Sequence, residues 1–143
     1  MKSITFRALI LSVLLLVSAL GTAYADNVKH VVIQVSTDDP TTQTIALNNA
    51  VNLQKLFGMD NVVVEIVAYG PGLSIMTAAS ELSPRVKSLS MQDIKFSACM
   101  NTMKKVEKKT GKMPLLTEGV GTVDSGIGRI VALEGEGYAY IRP

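Results

Sequence analysis

His30 to Val35 reads HVVIQV, and Asn61 to Tyr69 reads NVVVEIVAY. Both are runs of β-branched and apolar residues bounded by turn formers. Their near-continuous apolarity predicts strands buried on both faces of a parallel sheet rather than the in-out alternation of a half-exposed one. Between them, over Thr42 to Phe57, Ala46, Ala50, Leu53 and Phe57 recur at helical spacing while Asn48, Asn49, Asn52 and Lys55 fall elsewhere. That pattern predicts an amphipathic helix, ended at Gly58 by a left-handed cap. Strand, helix and strand in this order make a βαβ unit.

The same alternation continues outward from this unit. Gly70-Pro71-Gly72 breaks the chain after the second strand, and Leu73 to Ala79 suits a short uncharged helix. Ser83-Pro84 reads as an N-cap followed by proline at the first helical position, with the helix running to about Met91. Ile94 to Cys99 (IKFSAC) predicts a third strand. Met100, Met103 and Val106 form the apolar stripe of the helix that follows, which stops at Gly111. Val120 to Val123 predicts a fourth strand, Ser125 the cap of a helix carrying Ile127, Ile130 and Val131, and Tyr138 to Ile141 the last strand. Strands alternating with helices imply a three-layer α/β/α sandwich with a mostly parallel sheet of about five strands, in one domain over residues 26–143.

Residues 1–25 read differently. Lys2 and Arg7 make a basic start, Ala8 to Leu20 is an apolar or small-residue run, and Ala23-Tyr24-Ala25 is a small-x-small cleavage site. This is the layout of a secretory signal peptide. The run is too short for a spanning helix, which needs about 20 residues, so no membrane anchor is expected after cleavage and the protein is expected in the periplasm. Of the 14 Lys+Arg, Lys2 and Arg7 precede Asp26, leaving 12 against 12 Asp+Glu. A neutral chain with 5% aromatic residues carries no electrostatic footprint for nucleic acid. One cysteine and one histidine exclude a disulfide framework and an intrachain Cys/His zinc site.

Ligands in open parallel sheets collect at the carboxyl ends of the strands. Those ends carry Asp38 and Asp39, Gly70-Pro71-Gly72, Cys99-Met100-Asn101-Thr102, and Asp124-Ser125-Gly126. Cys99 stands where the third strand meets a helix, and the unpaired N–H groups and positive dipole end of that helix stabilise an anion such as a thiolate. The other reading of Cys99 is a small buried hydrophobe. Asp38 and Asp39 are candidate bases or ligands, or else caps of the first helix. His30, at the start of a strand, reads as structural, which leaves no Ser-His-Asp or Cys-His pair. Gly119-Val120-Gly121 and Gly126-Ile127-Gly128 match neither a Walker A sequence nor a dinucleotide fingerprint, so no cofactor is implied. Lys104, Lys105, Lys108, Lys109 and Lys112 read as a solvated helix face or as a docking patch for an acidic partner. The uncharged stretch from Ile66 to Ser80 is either core or a subunit interface, and interface is the slightly favoured expectation.

The chain resembles the DsrE/DsrF-like (YchN-like) family, in particular its small exported members. The resemblance runs through HVVIQVSTDDP, IALNNAVNLQ, VEIVAYGPGL, FSACMNTM, SGIGRIV and GYAYIRP, in that order. It implies a homo-oligomer, commonly a trimer or hexamer. In the sulfur-relay members of that family a cysteine carries sulfur as a persulfide between a donor and an acceptor protein, and Cys99 is the residue that matches. The resemblance therefore implies a sulfur carrier with Cys99 as its reactive group, and the N–H groups near Asn101 and Thr102, at the start of the following helix, are expected to stabilise the persulfide. The alternative function is a non-catalytic oligomeric module with a ligand site formed by the Asp38, Gly70 and Ser125 loops.

Overall fold

In a computed structural model, which describes residues 28–143, the two apolar runs become neighbouring parallel strands, β1 (Lys29–Val35) and β2 (Val62–Ala68). The signal-peptide reading of residues 1–25 lies outside the described residues. Helix α1 (Pro40–Phe57) joins the strands. It begins two residues earlier than its apolar spacing predicts, because Asp39 is its N-cap and Pro40 supplies a φ already suited to the first turn. The Asp39 carboxylate accepts from the Thr42 N–H and hydroxyl, both at 2.7 Å. Gly58 ends α1 at φ +87° with an extended ψ rather than in the left-handed helical region, its N–H still donating to the Gln54 carbonyl.

A 3-10 segment (Gly70–Met76) and α2 (Ser83–Ser90) lead to β3 (Ile94–Cys99). Then come α3 (Met100–Thr110), β4 (Val120–Val123), α4 (Gly126–Gly135) and β5 (Ala139–Ile141). The sheet order is β4-β3-β2-β1-β5 with every pairing parallel. The expected α/β sandwich is therefore present. The chain steps from β1 to β4 in one direction and then returns across the sheet to place β5 beside β1.

That reversal separates the layers. Val31, Ile33 and Val35, with Ile66, Phe96 and Ala98, face a large core closed by Ala46, Leu47 and Ala50 of α1, Leu73, Ile75 and Met76, Val86 and Leu89 of α2, and Met103 of α3. On the opposite face Val32 and Val67 meet Ile130 and Leu133 of α4 in a smaller cluster. Leu73, Ile75 and Met76 are thus core residues and not the expected interface. The short helix expected over Leu73 to Ala79 is a 3-10 segment instead, ending at Met76, and it buries all three side chains. Ser83 is the first residue of α2 and not its cap; Leu82 stands at the N-cap, and the Ser83 hydroxyl instead accepts from Thr117 at 2.9 Å. On α4 the core takes Ile130 and Leu133, while Ile127 and Val131 face outward.

Gly72 shows how tightly the strand ends are packed. A Cβ there would lie 2.2 Å from the Val35 carbonyl oxygen and 2.5 Å from its carbon, both backbone atoms of β1. Gly72→Ala is expected to destabilise the fold by about 3 kcal/mol, read as a lower denaturant midpoint, because neither backbone can yield without disturbing the sheet.

Candidate functional site

Cys99 ends β3 and is the N-cap of α3, with only 5% of its surface exposed. Its side chain lies on the α4 face of the sheet, since Ile94, Phe96 and Ala98 point to the opposite core. The N-terminus of α4 arrives from that side. The sulfur therefore sits where two helices begin, close enough to the first N–H groups of α3 (Asn101, Thr102) and of α4 (Gly126) for them to favour its anion. The Thr102 hydroxyl favours the anion as well. Its oxygen accepts the Gly70 N–H at 3.0 Å, which leaves its proton free to point at sulfur.

These groups set the acidity of the thiol. Burial pushes the Cys99 pKa up, but the Thr102 hydroxyl and the N–H groups of Gly126, Thr102 and Asn101 outweigh it and hold the pKa below the ordinary thiol value. In the thiol form the only acceptor described for the S–H is the Asp124 carbonyl at 4.0 Å, a long contact that does little to favour protonation. Thr102→Val removes one donor to the thiolate and orphans the Gly70 N–H. It is expected to slow alkylation of Cys99 severalfold near pH 7, measured with a small neutral reagent.

The neighbouring loops are held together by backbone. Asn101 N–H donates to the Asp124 carbonyl at 3.1 Å, tying the start of α3 to the β4–α4 turn. The Ser125 hydroxyl caps α4 by accepting from the Gly128 N–H at 3.2 Å, so its part is to fix the helix end that presents Gly126. Gly126 is glycine for a steric reason: a Cβ there would lie 2.9 Å from the Tyr69 ring. Gly70 adopts φ +56°, which L side chains rarely do, and its N–H completes the chain through Thr102 to sulfur. Of the residues singled out from sequence, Asn101, Thr102, Gly70 and Ser125 thus gather around Cys99. Asp38 is exposed in the β1–α1 loop and joins none of these contacts among the described residues.

One buried group escaped the sequence reading. Glu65, 1% exposed, stands on the α4 face of β2 among apolar neighbours. Arg129 of α4 grips it with two hydrogen bonds, 2.9 Å to Oε1 and 2.7 Å to Oε2. The Ser97 hydroxyl donates to Oε1 at 2.6 Å, and Lys95 Nζ lies 3.2 Å from Oε2. Burial raises the carboxyl pKa, yet the Arg129 and Ser97 hydrogen bonds and the two nearby cations bring it below its ordinary value. Glu65 anchors α4 to the sheet, and α4 brings Gly126 to the sulfur. The signal in the sequence was a single carboxylate within VVVEIVA, since a charge in such a run must be paired.

Two cavities lie away from this site. One of about 400 Å³ is lined by Val28, His30, Leu53, Phe57 and Ala139 among others. The second, about 270 Å³, lies between the start of α1 and Ser80 to Leu82. Among the described residues no group of three or more His, Cys, Asp or Glu side chains is placed to hold a metal ion, and no helix is long and apolar enough to cross a membrane.

No protein-family model matches the chain, and no curated protein matches it. Among solved structures the chain is similar to MTH1491, a protein of unknown function from Methanobacterium thermoautotrophicum. The two share 36% identity with a TM-score of 0.72, over 80% of this chain and 99% of that one.

Proposed function

The chain belongs to the same family as MTH1491, whose function is unknown, and from its own residues we propose that it is a sulfur-handling protein of the cell envelope, carrying sulfane sulfur as a persulfide on Cys99. The observation that carries this reading is the place of Cys99 at the N-cap of α3 beside the start of α4, an arrangement that holds its pKa down despite its burial. The resemblance to the DsrE/DsrF-like family supports the same chemistry.

The step balances without an external oxidant. The Cys99 thiolate attacks the outer sulfur of a donor persulfide, R–S–SH. A new S–S bond forms to Cys99, the donor's S–S bond breaks, and R–S⁻ leaves with the electron pair and takes up a proton. The persulfide anion on Cys99 is then held by the donors that held the thiolate. An acceptor thiolate attacks the outer sulfur and restores Cys99. With one cysteine in the chain, that acceptor belongs to another molecule. The 5% exposure of Cys99 suits delivery of one small sulfur atom and disfavours a mixed disulfide with a bulky partner.

Export to the periplasm, as the first 25 residues suggest, and assembly into a trimer or hexamer belong to this proposal. Ile127 and Val131 on the outward side of α4, 54% and 62% exposed, support self-association. The burial of Cys99 favours a second reading, an oligomeric binding module that uses the Gly70, Ser125 and Asp38 loops and leaves the thiol inert. Intact mass spectrometry after incubation with a polysulfide tests the proposal. A gain of one sulfur atom per chain, reversed by reductant, is expected; no gain from a protein whose thiol is freely alkylated would overturn it.

A further inference from the structure

We infer that the exposed face of α3, with the loop that follows it, is a docking surface for an anionic lipid bilayer. At 100° per residue, Asn101, Lys104, Lys105, Lys108 and Lys109 fall within one arc of about 140° of α3, and Lys112 follows the left-handed turn at Gly111 that ends it. Met100, Met103 and Val106 fall on the other side, packed against the core. All five lysines are exposed, and none has an ion-pair partner among the described residues. Glu107 is the only acidic residue between Met100 and Leu115.

This concentration is local. From Asp26 onward the chain is neutral, yet five of its 12 cations lie between Lys104 and Lys112. The loop after α3 then exposes Met113 (41%) and Leu115 (77%). Leu115 is held in place by backbone, its carbonyl accepting from the Ala78 N–H at 2.9 Å. Lysines beside outward-pointing apolar side chains are the composition of an interfacial membrane surface.

The cations here are all lysines, point charges suited to a diffuse layer of headgroups, whereas bidentate recognition of carboxylates on an acidic protein favours arginine. Neither of the two cavities described above lies at this face. The surface is independent of the chemistry at Cys99, although Asn101 places the two side by side.

The test is co-sedimentation of the purified chain, in the form isolated from cells, with vesicles of about three parts phosphatidylcholine to one part phosphatidylglycerol, against pure phosphatidylcholine. Preferential binding to the anionic vesicles is expected. Each lysine near such a surface contributes about fivefold, so Lys104→Gln/Lys105→Gln/Lys108→Gln should lower the partition coefficient about 100-fold. Leu115→Ser should lower it severalfold, and raised salt should weaken it. Equal binding to both vesicles, unchanged binding of the triple variant, or capture of polyglutamate without vesicle binding would overturn the inference, the last assigning the face to an acidic protein.

Discussion

Cys99→Ser is expected to abolish sulfur loading completely while leaving the fold in place. The chain has a single cysteine, so no other residue can hold a persulfide. A serine hydroxyl is not ionised at neutral pH and forms no oxygen–sulfur equivalent of the adduct. The substitution is nearly isosteric, and the hydroxyl oxygen can still accept from the donors at the ends of α3 and α4. The stability change should therefore stay within about 1 kcal/mol, well inside the usual range for point substitutions. Loss of loading with an unchanged unfolding midpoint assigns the chemistry to the thiol. Loading that persists in the variant would remove Cys99 from the proposal.

Glu65→Ala is expected to cost about 3 kcal/mol of stability, the lower end of what breaking a buried ion pair costs. The variant strands Arg129 and leaves the Ser97 hydroxyl without its acceptor. The lower end applies because the Arg129 side chain is a quarter exposed and can recover some hydration. The same pair makes stability depend on pH. The Glu65 pKa is lowered in the native state, so its contribution is present in full above the unfolded glutamate value of about 4.3. It is lost as pH falls through the lower native value. Denaturant titrations of the wild type should show that loss below pH 4.3, and Glu65→Ala should show less of it. Because Arg129 ties α4 to the sheet, Glu65→Ala should also slow Cys99 alkylation at neutral pH, which a purely structural role remote from the thiol would not predict.

β1 and β2 were legible because their burial is written into composition. HVVIQV and NVVVEIVAY are apolar on both faces, and that points to a parallel sheet covered on both sides. The stop signals at Gly58 and Gly111 and the cap at Ser125 are local, and local chemistry is enough to place them. Ser83 was misplaced because a Ser-Pro pair is a cap only when the preceding residue leaves the helical region. Here Leu82 is already helical, with φ −85° and ψ −3°, and Thr117 claims the hydroxyl. Leu73 to Met76 gave an ambiguous signal, since a core segment and an interface segment have the same composition.

At the site, one of the two helices that meet the thiol was visible beforehand, because it follows Cys99 directly in the chain. The other was not. Gly126 lies 27 positions along the chain, and its approach depends on the crossover that carries α4 to the opposite face of the sheet. The Glu65–Arg129 pair, 64 residues apart, was hidden for the same reason. Contacts made by topology rather than by neighbouring residues leave no periodic mark on the sequence.

Sulfur handling at Cys99 requires a thiolate stabilised by the native arrangement of α3 and α4, and the pH dependence of Cys99 alkylation tests that most directly. The second-order rate with a small neutral reagent is measured across pH for the folded protein and again for the protein unfolded in denaturant. The predicted result is a folded-state midpoint clearly below the unfolded one, with Thr102→Val moving it back upward. A folded-state midpoint equal to or above the unfolded value would contradict the account, since burial would then outweigh the two helix starts and the Thr102 hydroxyl, and Cys99 would be a core residue.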